Sequence, residues 1–150
     1  MGTQAAATMP PLTEEECVTV AAAAERLLDT LLSAATDNDR VRVNAARALG
    51  YLASRGPPEV LRVGGACFAV ASARLPQVTD ALLACVSSPA VKVRWNVCCA
   101  LGGTLQRHRQ QEDLSATAWA PAAVRALLTL LRESSNFKVT AGSCLSSTRL

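Results

Sequence analysis

Three stretches of the chain are rich in Leu and Ala and space their apolar residues three or four positions apart. They are AAAAERLLDTLLSA from Ala21, LPQVTDALLACV from Leu75 and APAAVRALLTLL from Ala120. Leu and Ala are strong helix formers, and this spacing places the apolar side chains on one side of a helix. Each stretch is therefore predicted to be a helix that buries one face.

A second kind of segment follows these stretches. RVRVNAARALG, from Arg40 to Gly50, recurs 52 positions later as KVRWNVCCALG, from Lys92 to Gly102. A third and broken copy begins with NFKV, from Asn136 to Val139. A unit of helix, short polar turn and helix that recurs every 45 to 52 residues is typical of a helical solenoid. Six positions of the first copy, Val41, Arg42, Asn44, Ala48, Leu49 and Gly50, match Val93, Arg94, Asn96, Ala100, Leu101 and Gly102.

The second helix of each unit has an apolar stripe when its residues are placed about 100° apart. The stripe of the first copy is predicted to consist of Val41, Ala45, Ala48, Leu49 and Leu52, and that of the second of Val93, Val97, Ala100 and Leu101. Gly50 and Gly102 lie near the end of the stripe. There they either ease contact with a neighbouring helix or begin helix termination.

Arg42 and Arg94 lie at the edge of the stripe, close to the turn before their helix. We expect each guanidinium to reach that turn, because both turns are rich in side-chain acceptors. The acceptors are Asp37, Asn38 and Asp39 in the first copy and Ser87 and Ser88 in the second.

The composition favours an all-α fold. Half of the 150 residues are hydrophobic, enough for a core, but only 3% are aromatic, which argues against sheets.

We predict a disordered segment over residues 1–13, helical repeats over 14–139 and an irregular tail over 140–150. The repeats are expected at about 14–56, 57–105 and 115–139, the last one incomplete. RGPPEVLRVGGACFAVASARLP, residues 55–76, is predicted to be irregular because of Pro57, Pro58, Gly64 and Gly65.

The N-terminus has no basic and apolar signal pattern, and the longest apolar run, Val63 to Ala73, is too short to cross a bilayer. An intracellular protein, cytoplasmic or nuclear, is therefore predicted, with no membrane contact.

The six cysteines form no C-x-x-C pair and are predicted to be small core residues in a reducing compartment. They are Cys17, Cys67, Cys85, Cys98, Cys99 and Cys144.

DNDRVRVNAARALGYLA, residues 37–53, and SPAVKVRWNVCCALGG, residues 88–103, resemble the second half of a HEAT repeat: an acidic or polar turn, Val-Arg, then Ala-rich apolar spacing. The resemblance covers roughly Ala21 to Val139 and includes WAPAAVRAL and SSNFKV. It implies a right-handed stack of antiparallel helix pairs, about three repeats, that binds other macromolecules along a concave surface without catalysis. The tail departs from the pattern at Thr140, where Arg is expected. We therefore expect a fragment or isoform of a larger solenoid.

The predicted function is a non-catalytic scaffold for protein partners, with no small-molecule substrate. The candidate partner-binding residues are Arg42, Asn44, Arg94, Trp95 and Asn96. The Trp and Asn ladder of armadillo peptide binding is absent, because Trp95 and Asn96 are neighbours and diverge by about 100°. The alternative is that the Arg and Asn side chains bond locally to turns and adjacent helices. Likewise, Trp95 and Trp119 either pack against the next repeat or anchor a partner.

No catalytic, cofactor or metal site is predicted. The single histidine, His108, lies in the polar stretch QRHRQQEDL, which is predicted to be a loop without an apolar pocket. Glu14, Glu15 and Glu16 are expected to begin a helix.

Contact with nucleic-acid backbone is the alternative function, although the net charge is only +3 and aromatic residues are few. Its candidate basic edge consists of Arg40, Arg42, Arg47, Arg55, Arg62, Lys92, Arg94, Arg107 and Arg109.

Overall fold

The computed structural model describes residues 13–54, 62–109 and 117–133. In this part of the chain every regular element is a helix, which confirms the all-α prediction. The helices are α1 (Glu14–Ala34), α2 (Asp39–Ser54), α3 (Arg62–Ala73), α4 (Leu75–Ala84), α5 (Val91–His108) and α6 (Trp119–Glu133). The NFKV segment and both predicted terminal segments, apart from Thr13, lie outside the described residues.

Helix α1 begins at the predicted acidic cluster. The Thr13 hydroxyl accepts a hydrogen bond from the Glu16 amide at 3.3 Å, and the Glu16 carboxylate accepts one from the Thr13 amide at 2.7 Å. This reciprocal capping box satisfies two amide donors at the start of the helix. Glu14 and Glu15 add negative charge to the same turn, where this charge interacts favourably with the positive end of the helix dipole.

The largest contact between helices joins α2 and α5, the two copies of the sequence motif. A Cβ atom on Gly50 would lie within 2.9 Å of the Ala100 Cα atom, closer than van der Waals contact allows. Glycine therefore lets the two backbones approach closely. Because α2 continues past Gly50 to Ser54, Gly50 eases helix contact and does not end the helix.

The predicted stripe is right for α5 and partly wrong for α2. All four predicted positions of α5 are buried. On α2, Ala45 and Leu49 are buried, but Val41 is 37% exposed and Ala48 and Leu52 are only half-buried. The buried face of α2 instead consists of Ala45, Ala46, Leu49, Gly50 and Ala53. This face is rotated around the helix relative to the predicted stripe, and most of its residues are small.

The segment predicted to be irregular contains helix α3, so that prediction is wrong for residues 62–73. Each glycine costs roughly 1 kcal/mol in a helix interior. Apart from Arg62 and Ser72 the other residues of α3 are apolar, and the helix packs against α1. Tertiary contact therefore outweighs the local propensity. The two prolines, Pro57 and Pro58, lie outside the described residues.

The surroundings of His108 also differ from the prediction. Helix α5 extends to His108, whose side chain is buried, and its ring meets the Trp119 ring edge-to-face with 5.8 Å between centroids. Thr104 and Leu105 of α5 are fully buried, so the helix continues into the core and carries His108 to the start of α6. Trp119, the first residue of α6, is thus buried against α5. It packs in the core, as one of its two predicted alternatives expected, but its ring contact is with the preceding unit and not with the next repeat.

The cysteines divide between core and surface. Cys85 and Cys98 are buried, as predicted, whereas Cys17 and Cys99 are exposed. Cys98 and its neighbour Cys99 point to different sides of α5 because successive helix positions diverge by about 100°. Desolvation raises the pKa of the Cys85 and Cys99 thiols. The side chain of Cys67 and all of Cys144 lie outside the described residues.

No described helix is long and apolar enough to cross a membrane.

Candidate binding groove

Helices α2 and α5 present matching positions on one side of the molecule. On α2 these are Arg40, Asn44, Arg47 and Tyr51; on α5 they are Lys92, Asn96, Cys99 and Gly103. Steps of four, three and four residues keep each set on one face of its helix. The two sets are related by the same 52-residue offset as the sequence motif. We call this surface the α2–α5 face.

A groove of about 590 Å³ runs along this face. Asn44, Arg47, Asn96 and Cys99 are the polar side chains of the α2–α5 face that line it. Its apolar part is formed by α1, α2 and α5 together, through Leu27, Leu31, Ala48, Tyr51, Leu52 and Ala100.

Two large apolar side chains in the groove remain open to solvent. Leu27 is 46% exposed and Tyr51 is 49% exposed. Large apolar groups that share a concavity and are rimmed by polar residues mark interaction surfaces more often than isolated exposed ones do. The groove therefore has the composition of a site for an apolar side chain of another molecule.

The α2–α5 face is also basic. Arg47 lines the groove, and Arg40 and Lys92 line an adjoining hollow where α2 and α5 begin. All three side chains are exposed, and none forms an ion pair with another described residue. The positive ends of the two helix dipoles lie at the same hollow and add to this charge.

The carboxylate that lines this hollow is bonded by other groups, and so are two carboxylates of α1. Glu25 and Asp29 of α1 both accept hydrogen bonds from Arg74, at 3.0 and 2.7 Å. Asp39 also lines the hollow, but its carboxylate accepts bonds from Arg42 at 3.1 Å and from the Ser88 hydroxyl at 3.0 Å. Arg40, Arg47 and Lys92 thus form no ion pair with a described residue, although Asp39 lies in the same hollow as Arg40 and Lys92.

Arg42 reaches the turn before α2, as predicted. Its Nε donates to the Ala35 carbonyl at 3.1 Å and its Nη2 to the Asp37 carbonyl at 2.6 Å, while Nη1 bonds the Asp39 carboxylate. The guanidinium therefore satisfies acceptors left open where α1 ends.

Arg94 makes the corresponding contact in the second copy. Its Nη1 donates to the carbonyls of Ser88 at 2.6 Å and Pro89 at 3.0 Å. The predicted acceptors were side chains of these turns. The structure instead shows mainly backbone carbonyls, with the Asp39 carboxylate as the one side-chain acceptor.

The two asparagines occupy matching positions but have different contacts. Asn96 Nδ2 donates to the Val43 carbonyl at 2.8 Å, so it joins α5 to α2. Asn44 is exposed in the groove, and no described residue bonds its carboxamide. Trp95 is half-buried and packs against the core. Of the five predicted residues, Asn44 and Asn96 line the groove and the other three do not.

The described members of the predicted basic edge do not come together as one surface. Of the seven whose side chains are described, Arg40, Arg47 and Lys92 line the groove or the hollow and the other four do not. Arg107 donates to the Ala53 carbonyl at 3.3 Å, and the side chains of Arg55 and Arg62 lie outside the described residues. Sequence reasoning also missed Leu27, Leu31 and Tyr51. A helical projection that starts at Arg40 brings Tyr51 onto the same face, but only the packing of α1 reveals the two leucines.

Among the described residues, no three His, Cys, Asp or Glu side chains converge to hold a metal ion. No protein-family model matches the chain, and no solved structure matches it significantly.

Proposed function

We propose that the chain is a non-catalytic scaffold that binds protein partners through the groove on the α2–α5 face. We also propose that its helices form an α-solenoid of about three HEAT-like repeats. Support for the solenoid comes from the helix pairs α1–α2 and α4–α5, each joined by a short turn, and from the contact between their second helices. Helix α6, which packs on α4 and α5, would begin the third repeat.

One observation supports protein binding above the others: the groove exposes Leu27 and Tyr51 beside hydrogen-bonding side chains. Aromatic residues that are rigid and partly apolar contribute strongly to protein interfaces. Asn44 is available to bond the main chain of a partner. Arg42, Arg94 and Asn96 then contribute indirectly, because they hold the turns and helices that form the groove.

The test uses the full chain as bait for a display library of random peptides. Binders are sorted on the unmodified chain and then measured on Tyr51→Glu, which places a charge in the groove. Leu128→Glu is the matched control, since Leu128 is 45% exposed on α6 and lies outside the groove. We expect peptides whose affinity falls at least roughly tenfold with Tyr51→Glu and is unchanged with Leu128→Glu.

A control for folding accompanies both variants: their circular dichroism melts should match that of the unmodified chain. The absence of any binder that is sensitive to Tyr51→Glu would contradict a protein-binding groove at this face.

Nucleic-acid binding is the second candidate, because Arg40, Arg47 and Lys92 are exposed without ion pairs among the described residues. Such contact would be made with phosphates and would weaken steeply as salt is raised. Fluorescence anisotropy with a labelled poly(dT) strand at low and moderate salt measures it. Protein binding through the apolar part of the groove is expected to change far less with salt.

A further inference from the structure

We infer that the groove takes an acidic segment of a partner protein, with carboxylates over the hollow and an apolar side chain against Tyr51 and Leu27. This inference rests on the proposed function and names the chemistry of the partner. It follows from the separation of two kinds of surface along the α2–α5 face.

The basic end is defined by Arg40 and Lys92, which line the same hollow at the first turns of α2 and α5. Arg47 continues the positive charge into the groove. Because the Asp39 carboxylate that lines the hollow is already bonded by Arg42 and Ser88, a partner's carboxylates would meet three cations that form no ion pair with a described residue. Complementary charge of this kind selects partners and speeds their association.

The apolar end lies further along the same helices. At 1.5 Å per residue, Arg47 is about 10 Å and Tyr51 about 16 Å from Arg40 along α2. Leu27 and Leu31 of α1 and Ala100 of α5 form the walls beside Tyr51. The distance from Arg40 to Tyr51 corresponds to about three turns of a helical partner segment or about five residues of an extended one. A segment that follows α2 therefore needs its acidic residues at about this separation from its apolar anchor.

Asn44 lies between the two ends, exposed and with its carboxamide unbonded by any described residue. It can donate to and accept from the main chain of the bound segment. A nucleic-acid strand would satisfy the cations but would leave the Leu27 and Tyr51 end uncovered, and a single aromatic residue provides little stacking. The combination of both ends therefore favours an acidic and apolar peptide.

The test is sequencing the peptides recovered from a random library of about twelve-residue inserts, long enough to follow α2 from Arg40 to Tyr51 even as a helix. We expect enrichment of Asp and Glu together with an aromatic or branched aliphatic residue. Selected peptides are then synthesised and measured on Arg47→Glu/Lys92→Glu. The control is Arg125→Glu/Arg132→Glu, which makes the same change in net charge at exposed positions of α6.

Reversal at Arg47 and Lys92 should weaken binding roughly tenfold or more, whereas reversal on α6 should leave it nearly unchanged. Binding by the unmodified chain should also weaken as salt rises. Replacing the peptide carboxylates by amides should reproduce the loss.

Other outcomes separate this inference from the proposed function. Peptides that need Tyr51 but carry no acidic residues, or that ignore the Arg47 and Lys92 reversal, would overturn the acidic partner and leave protein binding intact. Recovery of no groove-dependent peptide would overturn both. Tight poly(dT) binding that the same reversal abolishes, without groove-dependent peptides, would assign the cations to nucleic acid.

Discussion

Helices α2 and α5 carry the same sequence motif in two different environments. Val41 and Val93 occupy the same position in their copies, yet Val41 is 37% exposed and Val93 is fully buried. The two helices have different neighbours, since α2 contacts α1, α3, α4 and α5, whereas α5 contacts α2, α4 and α6. A repeat in sequence thus specifies the helix, while the neighbouring helices decide which of its positions are buried.

The contact that joins the two copies should be the most sensitive to change. Gly50→Val would place a branched side chain against the Ala100 backbone, and overpacking of this kind costs about 3 kcal/mol of unfolding free energy. Urea unfolding followed by circular dichroism measures it. Arg47→Val, at an exposed position of the same helix, controls for helix propensity and should cost only about 0.5 kcal/mol. Equal losses in the two variants would contradict the close approach.

The two valines should differ next. Val93→Ala removes two buried methyl groups and should lower the unfolding free energy by about 2 kcal/mol. Val41→Ala should change it by less than about 0.5 kcal/mol, because the lost contact is small and Ala favours the helix. The same urea titration compares them. If Val41→Ala proved the more harmful, the difference in burial between the copies would be wrong.

The two arginines that bond the turns should also differ in their contribution to stability. Arg42→Ala removes contacts to two carbonyls and one carboxylate and should cost about 1.5 kcal/mol, since the group is partly exposed. Arg94→Ala removes contacts made by one nitrogen and should cost about 1 kcal/mol. Arg42→Lys keeps the charge but not the planar fork, so it should resemble Arg42→Ala. A fully stable Arg42→Lys would show that charge alone is sufficient. Melting temperatures of the three variants give the order.

The asparagines give the smallest expected effect on stability. Asn96→Ala loses the bond to the Val43 carbonyl and should cost about 1 kcal/mol. Asn44→Ala should be within about 0.5 kcal/mol of the unmodified chain, because its side chain is exposed. Asn44→Ala should instead weaken the binding of library-selected peptides. A large stability loss for Asn44→Ala would place this residue among the structural contacts.

Local patterns made most of the fold predictable. The Leu spacing gave α1, α4 and α6, and the Val-Arg motif gave α2 and α5 with their arginines directed to the preceding turns. Helix α3 was missed because Gly64 and Gly65 indicate irregular backbone when the sequence is considered without the α1 surface that packs on this segment. His108 was misplaced for a similar reason, since its polar neighbours conceal a buried ring contact with Trp119.

The groove was less predictable than the helices that form it. Asn44 and Asn96 could be found from the repeat, but the repeat also pointed to Arg42 and Arg94, which bond their own turns. Leu27 comes from the Leu-rich stretch of α1, where every apolar residue looks like core, and only the position of α2 decides that it remains 46% exposed. Which charged side chains form ion pairs likewise depends on partners distant in sequence, such as Arg74 for Glu25 and Asp29.

The close approach at Gly50 also has a kinetic consequence. With α2 set directly against Ala100, the two walls of the groove are already joined before any partner arrives. A ligand that spans both helices then imposes little ordering on the chain, so little conformational entropy is lost on its side of the complex. Capture rates should therefore vary little among partners of similar charge, and residence time should distinguish a good partner from a poor one.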